Sequence, residues 1–156
     1  MSKSLKRVIA DAEARGLQIE VLRMDDGTLT AQAAADAVGT TPAQIVKSII
    51  FRDAATDEHV LFLTAGHNRV CPDRAAQVAG IDLAKADAAS IRRVTGFAIG
   101  GVSPLGHLTP IRTYLDPDIL NFDTVWAAAG TPHHLFEIAP DALQKATGAT
   151  TAAFTV

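Results

Sequence analysis

Two stretches of this chain carry residues suited to chemistry on a carbonyl or a phosphate. The first is Ile45-Val46-Lys47-Ser48-Ile49-Ile50-Phe51, where a single lysine stands among residues that prefer to be dry. A compact ammonium at the edge of an apolar pocket can hold a phosphate or a carbonyl oxygen. The same pattern also fits a snorkelling side chain with its charge in water. The second stretch is Gly96-Phe97-Ala98-Ile99-Gly100-Gly101-Val102-Ser103-Pro104-Leu105-Gly106-His107. It reads as a short apolar strand that breaks into a loop, in which glycines bring bare main-chain amides close to another molecule. Pro104 fixes its own φ and pushes Ser103 toward an extended conformation, so the loop is expected to be stiff.

Ser103 invites a nucleophile reading, but Leu105 stands where a G-x-S-x-G elbow needs its second glycine. Pro104 also removes the amide that such an elbow places in its oxyanion hole. The alternative is a loop serine whose neighbouring amides bind a ligand. The histidines His59, His67, His107, His133 and His134 form no H-E-x-x-H or Cys/His spacing, so a metal is not expected. Cys71, beside Pro72, has no evident partner and reads as a small buried residue. Gly66-His67-Asn68-Arg69 suits a surface turn, or a pocket rim lined by Asn68 and Arg69. Trp126-Ala127-Ala128-Ala129-Gly130 combines one large residue with small ones, as close packing or room for a ligand requires. The glycine spacing from Gly96 to Gly101 matches neither a P-loop nor a dinucleotide fingerprint, and no cofactor is implied.

The elements that must position these residues can be read from period and punctuation. Leu5, Val8, Ile9 and Ala12 recur at helical spacing over Ser4 to Arg15, and Gly16 stops that helix. Ile19, Val21 and Leu22 suggest a strand. Thr30 caps a helix over Ala31 to Val38, closed by Gly39. Thr40-Thr41-Pro42 starts a short helix through Val46 that runs into a strand at Ser48 to Phe51. With Val60 to Thr64 beyond a polar turn, that strand makes a hairpin. Short helices are expected at Pro72 to Val78 and Asp87 to Arg93. Strands should recur at Ile111 to Leu115, Thr124 to Ala128 and His134 to Ile138, with helical turns at Asp116 to Leu120 and Pro140 to Thr147.

Many of these connections are too short for a helical crossover, which disfavours an all-parallel sheet. The expected architecture is α+β, with a mixed, mostly antiparallel, curved and barrel-like sheet surrounded by short helices. With 156 residues, 48% of them hydrophobic, one domain spanning residues 1–156 is expected. Such a chain buries roughly 70% of the surface its unfolded form exposes. A net charge of -3 argues against a broad grip on DNA or any duplex, while contact with one nucleic-acid end stays open. Without a signal-peptide stretch or an apolar run of membrane-spanning length, the expectation is a soluble cytoplasmic protein with no membrane partner.

Taken together, these motifs resemble the YbaK-like family, similar to the editing insertion domain of bacterial prolyl-tRNA synthetases. The resemblance rests on the Lys47 stretch, Gly66-His67-Asn68-Arg69-Val70, Thr95 to His107, and Val125-Trp126-Ala127-Ala128-Ala129-Gly130-Thr131-Pro132, in family order from about Thr28 onward. It implies a metal-independent deacylase acting in trans on the ester between a wrong amino acid and the 3′-terminal adenosine of a tRNA. The partner is then the tRNA 3′ acceptor end, with a synthetase as a second candidate partner. Lys47 matches the family's functional lysine, expected to hold the terminal adenosine or its phosphate. Gly100, Gly101, Val102 and Ser103 match the loop whose main chain faces the aminoacyl carbonyl. Asn68, Arg69, Ile99, Pro104, Gly106, His107, Gly130 and His133 are the expected substrate-binding residues. Small amino acids of the alanine, serine, threonine or cysteine class are the implied cargo. A serine precedes Pro104 where relatives often carry another proline, so this loop looks less like that of the alanyl-prolyl editors. Two other classes fit the residues: a binding module without catalysis, and a small-molecule ester or amide hydrolase using Ser103.

Overall fold

The computed structural model describes residues 1–156. In chain order the elements are α1 (Lys3–Ala14), β1 (Val21–Arg23), α2 (Ala31–Val38), β2 (Ile45–Asp53), β3 (His59–Ala65), α3 (Pro72–Ala79), β4 (Leu83–Lys85), α4 (Ala88–Thr95), β5 (Arg112–Leu115), β6 (Val125–Ala128), β7 (His134–Ile138), α5 (Pro140–Thr147) and β8 (Thr150–Thr151). Short 3₁₀ turns at Pro42–Gln44 and Pro117–Asn121 precede β2 and β6.

One sheet carries the fold, in the order β1-β7-β6-β2-β3-β5-β8, with β4 also paired to β2. The pairs β1–β7, β2–β3, β2–β4 and β6–β7 are antiparallel, whereas β2–β6, β3–β5 and β5–β8 are parallel. The α+β reading with a mixed sheet therefore stands. The barrel-like reading is corrected to an open sheet, because β1 and β8 lie at opposite ends and do not pair.

The physical centre is β3, buried along its whole length. Its side chains alternate between faces. Leu61, Leu63 and Ala65 join a core of 22 residues with Leu5 and Val8 of α1, Ile91 of α4, Phe136 of β7 and Leu143 of α5. Val60 and Phe62 enter a smaller cluster on the other face with Tyr114, Phe154 and the alanines of α3. Phe62 stacks on Tyr114 at 5.6 Å and meets Phe154 edge-on at 5.0 Å. A strand sandwiched this way needs a continuous apolar run, as Val60 to Leu63 supplies. A third cluster seats α2 on β2 and β7 through Ala34, Ala35, Ile45 and Leu135.

Three local expectations are corrected. The helix starting at Pro42 ends at Gln44, because Ile45 and Val46 pair in parallel with Trp126 and Ala127 of β6; tertiary pairing overrides the local start signal. No strand forms at Phe97 to Ile99. Phe97 is buried, while Ala98 and Ile99 turn outward and the chain from Gly96 to Pro110 is irregular. The short strands β4 and β8 were not anticipated.

Candidate active site

Lys47 lies in the first half of β2, on the face it shares with Ile45 and Ile49. Its Nζ reaches past the end of β3 and donates to the Asn68 carbonyl at 2.6 Å. That carbonyl is itself held in place. The Asn68 amide donates to Asp116 Oδ2 and Asp118 Oδ2, both at 2.8 Å, and Asp116, almost fully buried, also accepts from the Ala65 and Asp118 amides. Burial pushes the Lys47 pKa down, the Arg69 charge adds to that shift, and Asp116 opposes it. The side-chain amide of Asn68 therefore orients the lysine's partner.

Beside Lys47 opens a cleft of about 700 Å³. Its walls come from the stretch Thr28 to Ala31 and Ala34 of α2, from Ile45 to Phe51 of β2, from Lys85, Ala86 and Ile91, and from Ile99, Gly100 and Val102 of the glycine loop. Gly66, Ala128 and Leu135 complete it. Leu29 and Ile99, exposed at 71% and 59%, form an apolar lip, and Leu29 covers Gly100 closely enough that a Cβ there would stand 2.5 Å from its Cδ2.

The loop divides its amides between structure and solvent. The Gly101 N–H closes a turn on the Ala98 carbonyl at 3.0 Å, so it is not available to a ligand. The amides of Gly100, Val102 and Ser103 make no hydrogen bond within the chain, and Gly100 and Val102 line the cleft. Ser103 is fully buried, and its Oγ accepts from the Leu105 amide at 3.1 Å. Its hydroxyl is a loop brace.

Of the residues expected from sequence, Lys47, Ile99, Gly100 and Val102 meet in this cleft. Pro104, Gly106 and His107 line a separate cavity of about 170 Å³ behind the loop, with Asp11 and Arg15. His107 Nε2–H donates to the Ser103 carbonyl at 2.7 Å, and burial pushes its pKa down. Gly130 packs against the Ser4 main chain and Phe97. His133 is exposed, beside the Met24 carbonyl, and does not line the cleft. Arg69 acts on Lys47 through its charge. Sequence reading missed Ser48 and Lys85 as cleft residues. Ser48 sits next to Lys47 and was within reach of the motif, but Lys85 lies on a three-residue strand with no pattern to flag it.

No helix is long and apolar enough to cross a membrane, and no group of three or more His, Cys, Asp or Glu side chains is placed to hold a metal.

Residues 25–146 match the family model described as an aminoacyl-tRNA editing domain. The whole fold superposes on a crystal structure described as "a putative trans-editing enzyme for prolyl tRNA synthetase", with a TM-score of 0.93 and 42% identity over 100% of this chain and 99% of that one. The crystal structure of hypothetical protein APE2540 matches with a TM-score of 0.89 and 29% identity, covering 96% of this chain and 99% of its own. The uncharacterized protein YwhH of Bacillus subtilis (strain 168) is 28% identical over 142 residues, 91% of this chain and 90% of its own length. With most of its length inside the matched model and its fold shared end to end, this chain belongs to the aminoacyl-tRNA editing domain family, the YbaK-like group its motifs resemble.

Proposed function

We propose that this protein is a trans-acting deacylase that hydrolyses the ester of tRNA mischarged with a small amino acid. One observation carries the reading: a single cleft joins the lysine ammonium of β2 to loop amides that the chain itself leaves unbonded. In this reading Lys47 and Lys85 hold the phosphate or ribose of the terminal adenosine. The Gly100 and Val102 amides face the ester carbonyl. Water attacks the carbonyl carbon, and negative charge gathers on the carbonyl oxygen, where each main-chain donor contributes on the order of 3 kcal/mol in well-studied hydrolases. Collapse breaks the bond to the ribose oxygen, which takes a proton and leaves as the free tRNA end. An aminoacyl ester is labile enough for positioning and oxyanion donors to suffice. Burial of Ser103 weighs against it as the nucleophile.

The small cargo is what the family resemblance implies, and pocket volume is the means of discrimination. Pockets discriminate one methylene by about 1 to 3 kcal/mol, so a small-residue editor excludes larger side chains more readily than it separates alanine from serine. Net charge of -3 fits a protein that grips only the single-stranded end of its RNA.

One observation favours a second reading. The cleft contains no Asp, Glu or His to act as a general base, which suits a non-catalytic aminoacyl-tRNA binding module. Release of amino acid from a panel of mischarged tRNAs separates the two. The deacylase reading expects acceleration for small amino acids and a loss of at least about a hundredfold in Lys47→Ala, as for removal of a main electrostatic group. Rates equal to buffer across the panel leave the binding module.

A further inference from the structure

The outer edge of β2 changes partner along its length. Ile45 and Val46 pair with β6, and Phe51 to Asp53 pair with β4, while the other edge pairs with β3 from Val46 to Arg52. Between the two outer partners, Lys47 to Ile50 have no ladder, a gap of about 13 Å at ordinary strand rise. Main-chain groups alternate in direction along a strand. The Ile45 carbonyl accepts from the Gly66 amide and the Asp53 amide donates to the Glu58 carbonyl, both at 2.8 Å, so odd-numbered residues address β3. Ser48 and Ile50 therefore address the gap. No loop group bonds to either of them, and Ser48, half-buried in the cleft wall, has a hydroxyl without a partner in the chain.

An unpaired strand edge is a template for more extended chain, and proteins close such edges unless they use them. This one opens into the cleft that holds Lys47 and the glycine loop. A gap of this length takes about four residues of extended chain, and a single aminoacyl residue needs only the part beside Ser48. We propose that the aminoacyl group of the substrate occupies the gap as a single-residue strand, its α-ammonium donating to the Ser48 carbonyl and Oγ. The inference rests on the deacylase reading and adds how the amino acid is recognised. With no carboxylate in the lining and two lysines present, main-chain carbonyls and hydroxyls are the acceptors open to an ammonium. Seating the ammonium at Ser48 leaves the ester carbonyl free to turn toward Gly100 and Val102.

The test compares alanyl-tRNA with lactyl-tRNA, which keeps size and ester but replaces the ammonium with a hydroxyl. Each rate is divided by that ester's own rate in buffer, since the ammonium activates the ester without any protein. Alanyl-tRNA is expected to be preferred by about tenfold or more, the worth of a hydrogen bond from a charged donor, and Ser48→Ala to lower that ratio about threefold. Equal acceleration of both esters, or a ratio that Ser48→Ala leaves unaltered, overturns this inference and leaves the deacylase standing. Acceleration of neither overturns both.

Discussion

Burial and the Arg69 charge act against the Lys47 ammonium, and Asp116 only partly offsets them. A lysine whose folded pKa lies below 10.5 is destabilising while charged, and that penalty is relieved as pH rises through the folded value. On the proposed reading, the charge at this position serves the substrate and not the fold. Lys47→Met, which keeps the stem and removes the charge, is expected to abolish deacylation and to unfold at the same temperature or higher in a thermal melt. Ser103→Ala should do the reverse. It leaves the buried Leu105 amide without its acceptor, a cost of about 1–3 kcal/mol by chemical denaturation, yet keeps most of the activity. Loss of turnover in a folded Ser103→Ala protein would return the serine to the role of nucleophile.

At the scale of elements, the glycine loop is set by what it touches. A Cβ on Gly101 would lie 2.7 Å from Thr131 Cα and 2.8 Å from its carbonyl carbon, so loop backbone packs directly on the backbone beyond β6. Gly148, at the end of α5, has φ +66 and open space around it. The two glycines predict different failures. Gly148→Ala should cost only the left-handed strain, about 1 kcal/mol, with normal turnover. Gly101→Ala must push the loop off Thr131, and kcat is expected to fall at least about tenfold as Val102 shifts from its productive position. Single-turnover kinetics with a parallel melt distinguish them. This contrast also marks how far the sequence could be read. Helix ends carried local chemistry: Thr30 does cap α2 through the Ala33 amide, and Gly39, Gly96 and Gly148 close their helices in the left-handed region. The buried run of β3 was legible for the same reason. The start of β2 was not, since Ile45 owes its strand conformation to Trp126, and neither was the split of the loop between two cavities. That split depends on α1, whose contacts with the loop lie about 90 or more residues apart in sequence and leave no periodic trace.

At the scale of the molecule, α1 precedes the segment matched to the family model and still clamps the loop that faces the cleft. Arg7 donates to the carbonyls of Gly106 at 3.0 Å and Thr95 at 3.4 Å, with its guanidinium 4.8 Å from the Phe97 ring. Asp11 accepts from the Gly106 amide at 2.9 Å. His107 sits within this clamp, its Nε2–H bonded to the Ser103 carbonyl. Burial lowers its pKa; the Ser103 bond and Asp11 raise it, while Arg15 and Arg7 lower it further, and the net shift is below the ordinary 6.5. Below that value the unfolded chain binds a proton that the folded clamp resists, so stability is present above it and is lost as pH falls through the folded value. The unfolding midpoint should therefore decline as pH falls below the ordinary histidine value of 6.5. His107→Gln keeps an N–H donor without a titrating ring and is expected to flatten most of that decline. A smaller slope should persist from His134, whose pKa burial also lowers and whose ring bonds Thr131, the residue on which Gly101 rests. A decline that His107→Gln leaves unchanged would place the acid-sensitive joint outside the clamp.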